Sequence, residues 1–372
     1  MTSPTVIAIF GVVCFGALAA FLLIIPRLWR PEVPFGVSVP TEGTEEVRRR
    51  ALRFWTISVI LLTAAAIAAT LLLARFRPGM WIALALAIPY VALAVLCYTR
   101  ARRMVLPAAL PSRKVGAALR RRRYRDYMSP WWEVIPAGLV VLGLVLSAWM
   151  VLGPSRAAAS GVWELARTEA LQGAIIAIMV VYPLGLLTAV LMAHAKQSIG
   201  GGDAAVSLAA SEAFRKAWIR YTYAFRLWLA AVFVTTPACM ALGERGFIGI
   251  MPALPFLHAA LVVGGLALLL AWGWIISLRY GQGGWRWAVR QGLVEKSQVA
   301  AILDGDGMQD DRWKLGMFYF NPKDPSILVE RRFGAGWTLN LGNIWAIVLI
   351  FFGIVGVCLL PSLLSVVVRP IK

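Results

Sequence analysis

Long runs of apolar residues alternate with arginine-rich segments along this chain, and the pattern predicts its architecture. About 20 helical residues, at a rise of about 1.5 Å each, cross the roughly 30 Å hydrocarbon core of a bilayer. Eight runs reach that length, so we predict an all-α integral membrane protein with eight transmembrane helices. The runs cover residues 5–25, 54–74, 79–98, 134–153, 173–194, 222–242, 251–278 and 343–366.

The composition excludes a soluble globular protein. Of the 372 residues, 60% are apolar and only 15% are charged, whereas soluble domains carry about 25% charged residues. A single soluble core could not hide that much apolar surface. The four cysteines (Cys14, Cys97, Cys239 and Cys358) lie in or beside apolar runs without the close spacing of a metal or redox motif.

The positions of the basic residues predict the orientation in the membrane. Segments before the second, fourth, sixth and eighth runs hold 29 Lys and Arg, and the opposite side holds seven. The positive-inside rule then places both termini outside the cytoplasm, in a multi-pass protein of the bacterial cytoplasmic (inner) membrane. The formal net charge of +19 is therefore explained by membrane topology and by contact with anionic lipid, and we expect no nucleic-acid partner.

The segment before the last run differs from the rest of the chain. Residues 314–320 and 327–333 are β-capable and flank an Asn/Pro/Asp-rich turn, so we predict a small cytoplasmic β-hairpin. A cytoplasmic helix is expected over 285–303, continuing from the seventh span. The chain then divides into a seven-helix membrane region (1–278), a cytoplasmic helix plus hairpin (279–342), and a last span with an extracytoplasmic tail (343–372).

This segment also carries a resemblance. It contains the pattern W-x-x-G, an aromatic pair before N-P-x-D-P, and G-x-G-W-T-L-N. It resembles the C-terminal segment of an uncharacterised family of bacterial multi-spanning membrane proteins, grouped with the sporulation-delaying-toxin immunity proteins. The P-F-G-V-S-V-P run after the first span is similar to that family as well. We expect the matching residues to form an interaction surface: Trp313, Gly316, Tyr319, Asn321, Asp324, Gly336, Trp337 and Asn340.

A second candidate site is a run of arginines before the fourth span. Clustered guanidinium groups bind lipid phosphates, RNA or the carboxylates of an acidic partner, and beside a membrane the anionic leaflet is the first expectation. A membrane-protein partner or a second copy of the chain is the alternative. The cluster consists of Arg120, Arg121, Arg122, Arg123 and Arg125.

Ionisable groups inside membrane spans are energetically costly and are usually functional. The sequence places Arg226 and His258 within spans, and Glu133 and His194 at cytoplasmic helix ends. Arg226 is expected to extend toward the cytoplasmic face. There is no motif for a metalloprotease, a serine nucleophile or a phosphate-binding loop, and we expect no metal and no cofactor.

Three functions follow from these observations. The first is a non-enzymatic subunit, regulator or immunity-type factor that binds a partner at the cytoplasmic face. The second is a carrier or channel for a lipid-like or anionic solute. The third is a lipid-headgroup enzyme, which would require the arginine cluster, Glu133 and His194 to meet at the interface.

Overall fold

The computed structural model describes residues 4–28, 33–37, 39–40, 43–76, 81–109, 122–152, 171, 173–195, 203–244, 253–295, 312–331 and 336–358. Helices dominate these residues because the apolar runs lack the polar turn residues that would end them. The helices are α1 (Pro4–Leu28), α2 (Glu45–Phe76), α3 (Trp81–Val105), α4 (Val134–Leu152), α5 (Gly173–His194), α6 (Ala204–Glu244), α7 (Leu254–Ala259, continuing as Gly265–Tyr280), α8 (Trp285–Arg290) and α9 (Ile344–Cys358).

Six helices in the described part of the chain are long and apolar enough to cross a membrane. They lie at Glu45–Leu73, Ala85–Ala108, Pro130–Met150, Gly173–His194, Ala204–Gly243 and Phe256–Arg290. The first and last predicted runs form the shorter apolar stretches Gly11–Pro26 and Ile344–Gly353. The structure therefore gives a multi-pass helical membrane protein with six qualifying helices, fewer than the eight predicted.

Two helices extend well beyond the apolar runs that predict them. Helix α2 begins at Glu45 and runs unbroken through the second predicted span. Helix α6 begins at Ala204, about five turns before the sixth predicted span at 222. Its first half is therefore a rigid extension that carries polar side chains out of the apolar region.

The helices form two packed groups. Helices α1, α2 and α3 contact one another, and α4, α5 and α7 pack around α6. In the first group the proline-rich segment after α1 is buried against the helices, because its prolines prevent a helix and its apolar side chains need cover. Phe35, Trp55 and Tyr98 form an aromatic cluster there, with ring centroids 5.8–6.4 Å apart.

The β region consists of two separate hairpins, and the predicted strand pairing is wrong. Strand β1 (Trp313–Lys314) pairs with β2 (Phe318–Tyr319), and β3 (Leu328–Glu330) pairs with β4 (Trp337–Leu339). The first predicted strand thus folds back on itself. Its turn contains Leu315 and Gly316 with φ of +53° and +71°, the left-handed backbone of a tight hairpin. The Asn/Pro/Asp-rich loop connects the two hairpins instead.

The expected cytoplasmic helix over 285–303 is also corrected. Helix α7 ends at Tyr280, because Gly281, Gly283 and Gly284 adopt φ between +66° and +83°. The short helix α8 follows, and the rest of the expected helix beyond residue 295 lies outside the described residues.

Candidate functional site

The residues that carry the resemblance form one structure, termed here the C-terminal unit (residues 312–343, described for 312–331 and 336–343). Its centre is the fully buried side chain of Asn340. The Oδ1 atom accepts hydrogen bonds from the backbone N–H groups of Asn321 and Gly342, both at 3.0 Å. The Nδ2 atom donates to the carbonyl oxygens of Asn321 (2.9 Å), Asp324 (3.0 Å) and Ser326 (3.2 Å). The Asn340 side-chain amide therefore forms hydrogen bonds with backbone groups along the loop between the hairpins.

Aromatic packing and a phenol complete the interior of the unit. The Trp313 and Tyr319 rings lie edge to face, with centroids 5.3 Å apart. The Tyr319 hydroxyl donates to Asp324 Oδ2 at 3.0 Å and accepts from Asn321 Nδ2 at 3.2 Å. Burial raises the pKa of Tyr319 above its ordinary value of 10.0, so the hydroxyl remains a donor.

The loop also connects to the last helix. Asn343 Nδ2 donates to the Pro325 carbonyl at 2.9 Å, and its Oδ1 accepts from the N–H of Trp345 at 2.9 Å. The second bond satisfies one of the free N–H groups at the start of α9. Asp324 Oδ1 accepts from the N–H of Ser326 at 3.0 Å, which closes the turn. The side chain of Asn343 therefore links the loop to the start of α9.

The tip of the first hairpin contacts the proline-rich segment near the N-terminus. Arg102, at the end of α3, donates from Nη1 to the carbonyls of Phe35 (3.2 Å) and Gly36 (2.8 Å). Gly316 lies against the same atoms, since a Cβ on Gly36 would stand 2.6 Å from the Gly316 oxygen. The two segments that carry the resemblance thus meet in space, although about 280 residues separate them in the sequence.

The second hairpin contacts the other group of helices. Trp337 packs on Phe214 of α6, with ring centroids 5.2 Å apart. The buried Gln282, in the glycine-rich turn after α7, donates from Nε2 to the Gly336 carbonyl at 3.0 Å. The C-terminal unit therefore touches both helix groups.

A charged contact reinforces this second junction. Arg215 of α6 is fully buried, and its Nη2 lies 3.8 Å from Oε1 of Glu330 on β3. Ser211, one turn earlier, donates to the same oxygen at 3.3 Å. Arg215 Nη1 also caps the carboxyl end of α5, where the last carbonyls have no helical partner. Those carbonyls belong to Met192 (2.7 Å), Ala193 (3.2 Å) and Ala195 (2.8 Å).

The structure changes the role of the predicted interaction surface. Most of its residues are buried, either inside the unit or at its junctions with the helices, and Asn321 is half-buried. They hold the loop and hairpins in place. The buried members are Trp313, Gly316, Tyr319, Asp324, Gly336, Trp337 and Asn340.

The structure also divides the predicted basic cluster. Arg120 and Arg121 lie outside the described residues. Arg122 is buried in an ion pair with Glu212 of α6, so its guanidinium group is not exposed at the surface. The members that remain exposed are Arg123 and Arg125.

The Arg226 side chain is enclosed by protein, where it meets Glu133 at the start of α4. It is buried, and its Nη2 lies 2.5 Å from Oε1 of Glu133. Tyr124 donates to the same oxygen at 2.5 Å, and Tyr182 donates to Oε2 at 3.1 Å. Burial, together with the bond to Glu133, raises the pKa of Tyr124 well above its usual range. The four side chains form a closed polar cluster between α4, α5 and α6.

The two histidines make their hydrogen bonds to groups outside this cluster. His194 Nδ1 lies 2.8 Å from the Val190 carbonyl in its own helix. His258 Nε2 lies 3.4 Å from the Thr236 hydroxyl, which joins α7 to α6. Within the described residues, no group of three or more His, Cys, Asp or Glu side chains could hold a metal ion.

Sequence reasoning missed Arg102, Arg215 and Glu330. For Arg215 a signal was present, because it lies on a helical stripe at spacings of three and four residues. A charge on such a stripe indicates a buried partner. The stripe comprises Ser207, Ala210, Ser211, Phe214 and Arg215, all of them buried.

Comparison with protein families identifies one match. A model described as a family of unknown function (DUF5808) matches residues 322–347, from the loop between the hairpins into α9. Comparison with curated proteins finds no match, and comparison with solved structures finds none either. The matched segment is the part of the chain that Asn340 and Asn343 organise.

Proposed function

We propose that this chain is a non-enzymatic membrane protein, a subunit, regulator or immunity-type factor, that binds a protein partner through its C-terminal unit. The observation that carries the proposal is the double attachment of this unit. Gly316 meets Arg102 of the first helix group, and Trp337 meets Phe214 of the second. A unit fixed at both sides is pre-organised, which lowers the entropic cost of binding.

The loop between the hairpins is the proposed docking surface. Pro322, Lys323 and Pro325 are exposed, while the backbone beneath them is fixed by Asn340. Because the loop exposes the positively charged Lys323, we propose a partner with an acidic face.

The proposed topology has eight crossings in a bacterial cytoplasmic membrane. Helices α1 and α9 are apolar along their length and would supply the two crossings beyond the six long helices. The excess of Lys and Arg between alternate runs supports a cytoplasmic position for the C-terminal unit. Both termini would then lie outside the cytoplasm.

The position of Glu133 weighs against the headgroup-enzyme alternative. That alternative needs a free carboxyl group near His194. Glu133 instead binds Arg226, Tyr124 and Tyr182, and it is buried. Its carboxylate is thereby committed to a structural ion pair.

Affinity purification from native membranes, followed by mass spectrometry of protein and lipid, tests the proposal. We expect a stoichiometric protein partner with the wild type and its loss in Asn340→Asp, a variant that keeps the shape but cannot donate to the three loop carbonyls. Membrane insertion should be equal in both. A clean preparation that carries one enriched lipid and no protein would overturn the proposal and favour a lipid carrier.

A further inference from the structure

The first hairpin exposes an apolar face with no counterpart in the rest of the described C-terminal unit. Leu315, Phe318 and Phe320 are 48%, 47% and 45% exposed. Phe318 and Phe320 point to the same side of the strand because side chains alternate, whereas Tyr319 between them is buried. Among the described residues 321–343, no large apolar side chain is exposed.

The apolar face lies near the carboxyl end of α3, a helix long and apolar enough to cross a membrane. The hairpin tip rests on Arg102 at the end of α3. Leu96, six residues earlier on that helix, is 62% exposed and belongs to the candidate span Ala85–Ala108. Six helical residues span about 9 Å. A headgroup layer several ångströms thick covers each side of the hydrocarbon core, so a hairpin tip at this distance from the apolar part of α3 would reach that layer.

Exposed basic residues lie next to Leu315 in the sequence and on the last turns of α3. Arg100 and Arg103 on α3 are exposed, and Lys314 is exposed next to Leu315. Aromatic side chains favour the headgroup region, and basic side chains beside them favour anionic lipid. A water-facing hairpin would instead place polar residues on its outer face.

We propose that Leu315, Phe318 and Phe320 insert into the leaflet at the carboxyl end of α3 and seat the first hairpin on anionic lipid. The occupant of this face is the bilayer surface rather than a second protein. The hairpin is an interfacial anchor that fixes the height of the C-terminal unit above the membrane.

An environment-sensitive fluorescent amino acid at position 318 tests this, with position 323 as the matched control. The full chain is reconstituted alone in vesicles of phosphatidylcholine with or without phosphatidylglycerol. Quenching is measured with lipids labelled by nitroxide near the headgroup and with aqueous iodide. We expect the probe at 318 to be blue-shifted, quenched by the labelled lipid and protected from iodide, and the probe at 323 to show the reverse. Quenching by the labelled lipid should increase with phosphatidylglycerol.

Two results would overturn the proposal. Equal iodide quenching at 318 and 323 would show that the face is in water. Protection from iodide without quenching by labelled lipid would show that protein, in this preparation a second copy of the chain, covers it. Phe318→Ser with Phe320→Ser provides a second measurement, because exposed positions tolerate polar substitution. In that variant a probe at position 315 should lose its protection from iodide.

Discussion

Arg226 Nη2 lies 2.5 Å from Glu133 Oε1, and this buried ion pair joins the long helix α6 to the start of α4. Neither residue had an obvious partner in the sequence, since 93 residues separate them. Tyr124 and Tyr182 occupy the remaining positions around the carboxylate. The pair holds together the helix group to which the second hairpin is attached.

Removing one member of this pair should destabilise the protein strongly. Arg226→Met leaves the buried Glu133 carboxylate unpaired, and Glu133→Gln leaves the guanidinium unpaired. A broken buried pair costs about 3–5 kcal/mol. The double variant should lose less stability than the two single variants lose in sum. Thermal unfolding in detergent measures the four proteins of this cycle, and strict additivity would contradict the assigned pairing.

Asn340→Asp should loosen the loop between the hairpins without affecting membrane insertion. The carbonyls of Asn321, Asp324 and Ser326 lose their shared donor. Each buried unsatisfied group costs about 1–3 kcal/mol. Hydrogen exchange of residues 321–326 should increase clearly in Asn340→Asp. Pro325→Ala, an exposed change in the same loop, is the control, and equal exchange in the two variants would contradict the central role of Asn340.

Gly316→Ala should lower the stability of the protein more than Gly43→Ala does. Both glycines have a left-handed backbone, with φ of +71° and +76°. The strain of a side chain at positive φ is of order 1–3 kcal/mol at each. At Gly43 nothing lies within 4 Å of the added Cβ, whereas at Gly316 it would overlap Arg102 Nη1. The difference in melting temperature isolates the contact between the hairpin and α3. Equal losses would mean that this junction contributes nothing.

Alkaline pH should weaken the C-terminal unit through Tyr319. Its pKa is raised by burial, so the folded state keeps the proton after the unfolded state, with an ordinary pKa of 10.0, has lost it. The stability contribution is therefore full below pH 10 and declines above it. The stability difference between the wild type and Tyr319→Phe should be constant below that pH and shrink above it. Hydrogen exchange of β2 measures it, and a difference that grows with pH would contradict the assignment.

The sequence predicted the helices more accurately than the contacts between them. Six of the predicted runs correspond to helices that qualify as spans, because a run of apolar residues is a local signal. The predicted strand pairing was wrong because the actual pairing depends on a local turn without a typical turn sequence. Leu315 is an unusual residue at positive φ, so the turn did not resemble a typical Asn-Gly hairpin turn.

The sequence grouped the candidate interaction residues in one segment, but it did not indicate that most of them are buried. The spacing of Trp313, Tyr319 and Asn340 gives no indication of which side chains face inward. Their burial depends on Asn340 reaching the loop at residues 321–326, a contact made across 14–19 residues. The junction of Gly316 with Arg102 depends on helix packing over more than 200 residues. Such distant contacts have no periodic signature in one sequence.

Site-specific photo-crosslinking in native membranes tests the central claim most directly. A photoreactive amino acid at position 323 lies on the proposed docking loop, and the same group at exposed Arg50 is the control. We predict one protein adduct at 323, no matching adduct at 50, and loss of the adduct in Trp337→Ala and Asn321→Ala while membrane insertion persists. An absence of protein adducts at 323, or an adduct that survives both substitutions, would contradict a partner-binding role for the C-terminal unit.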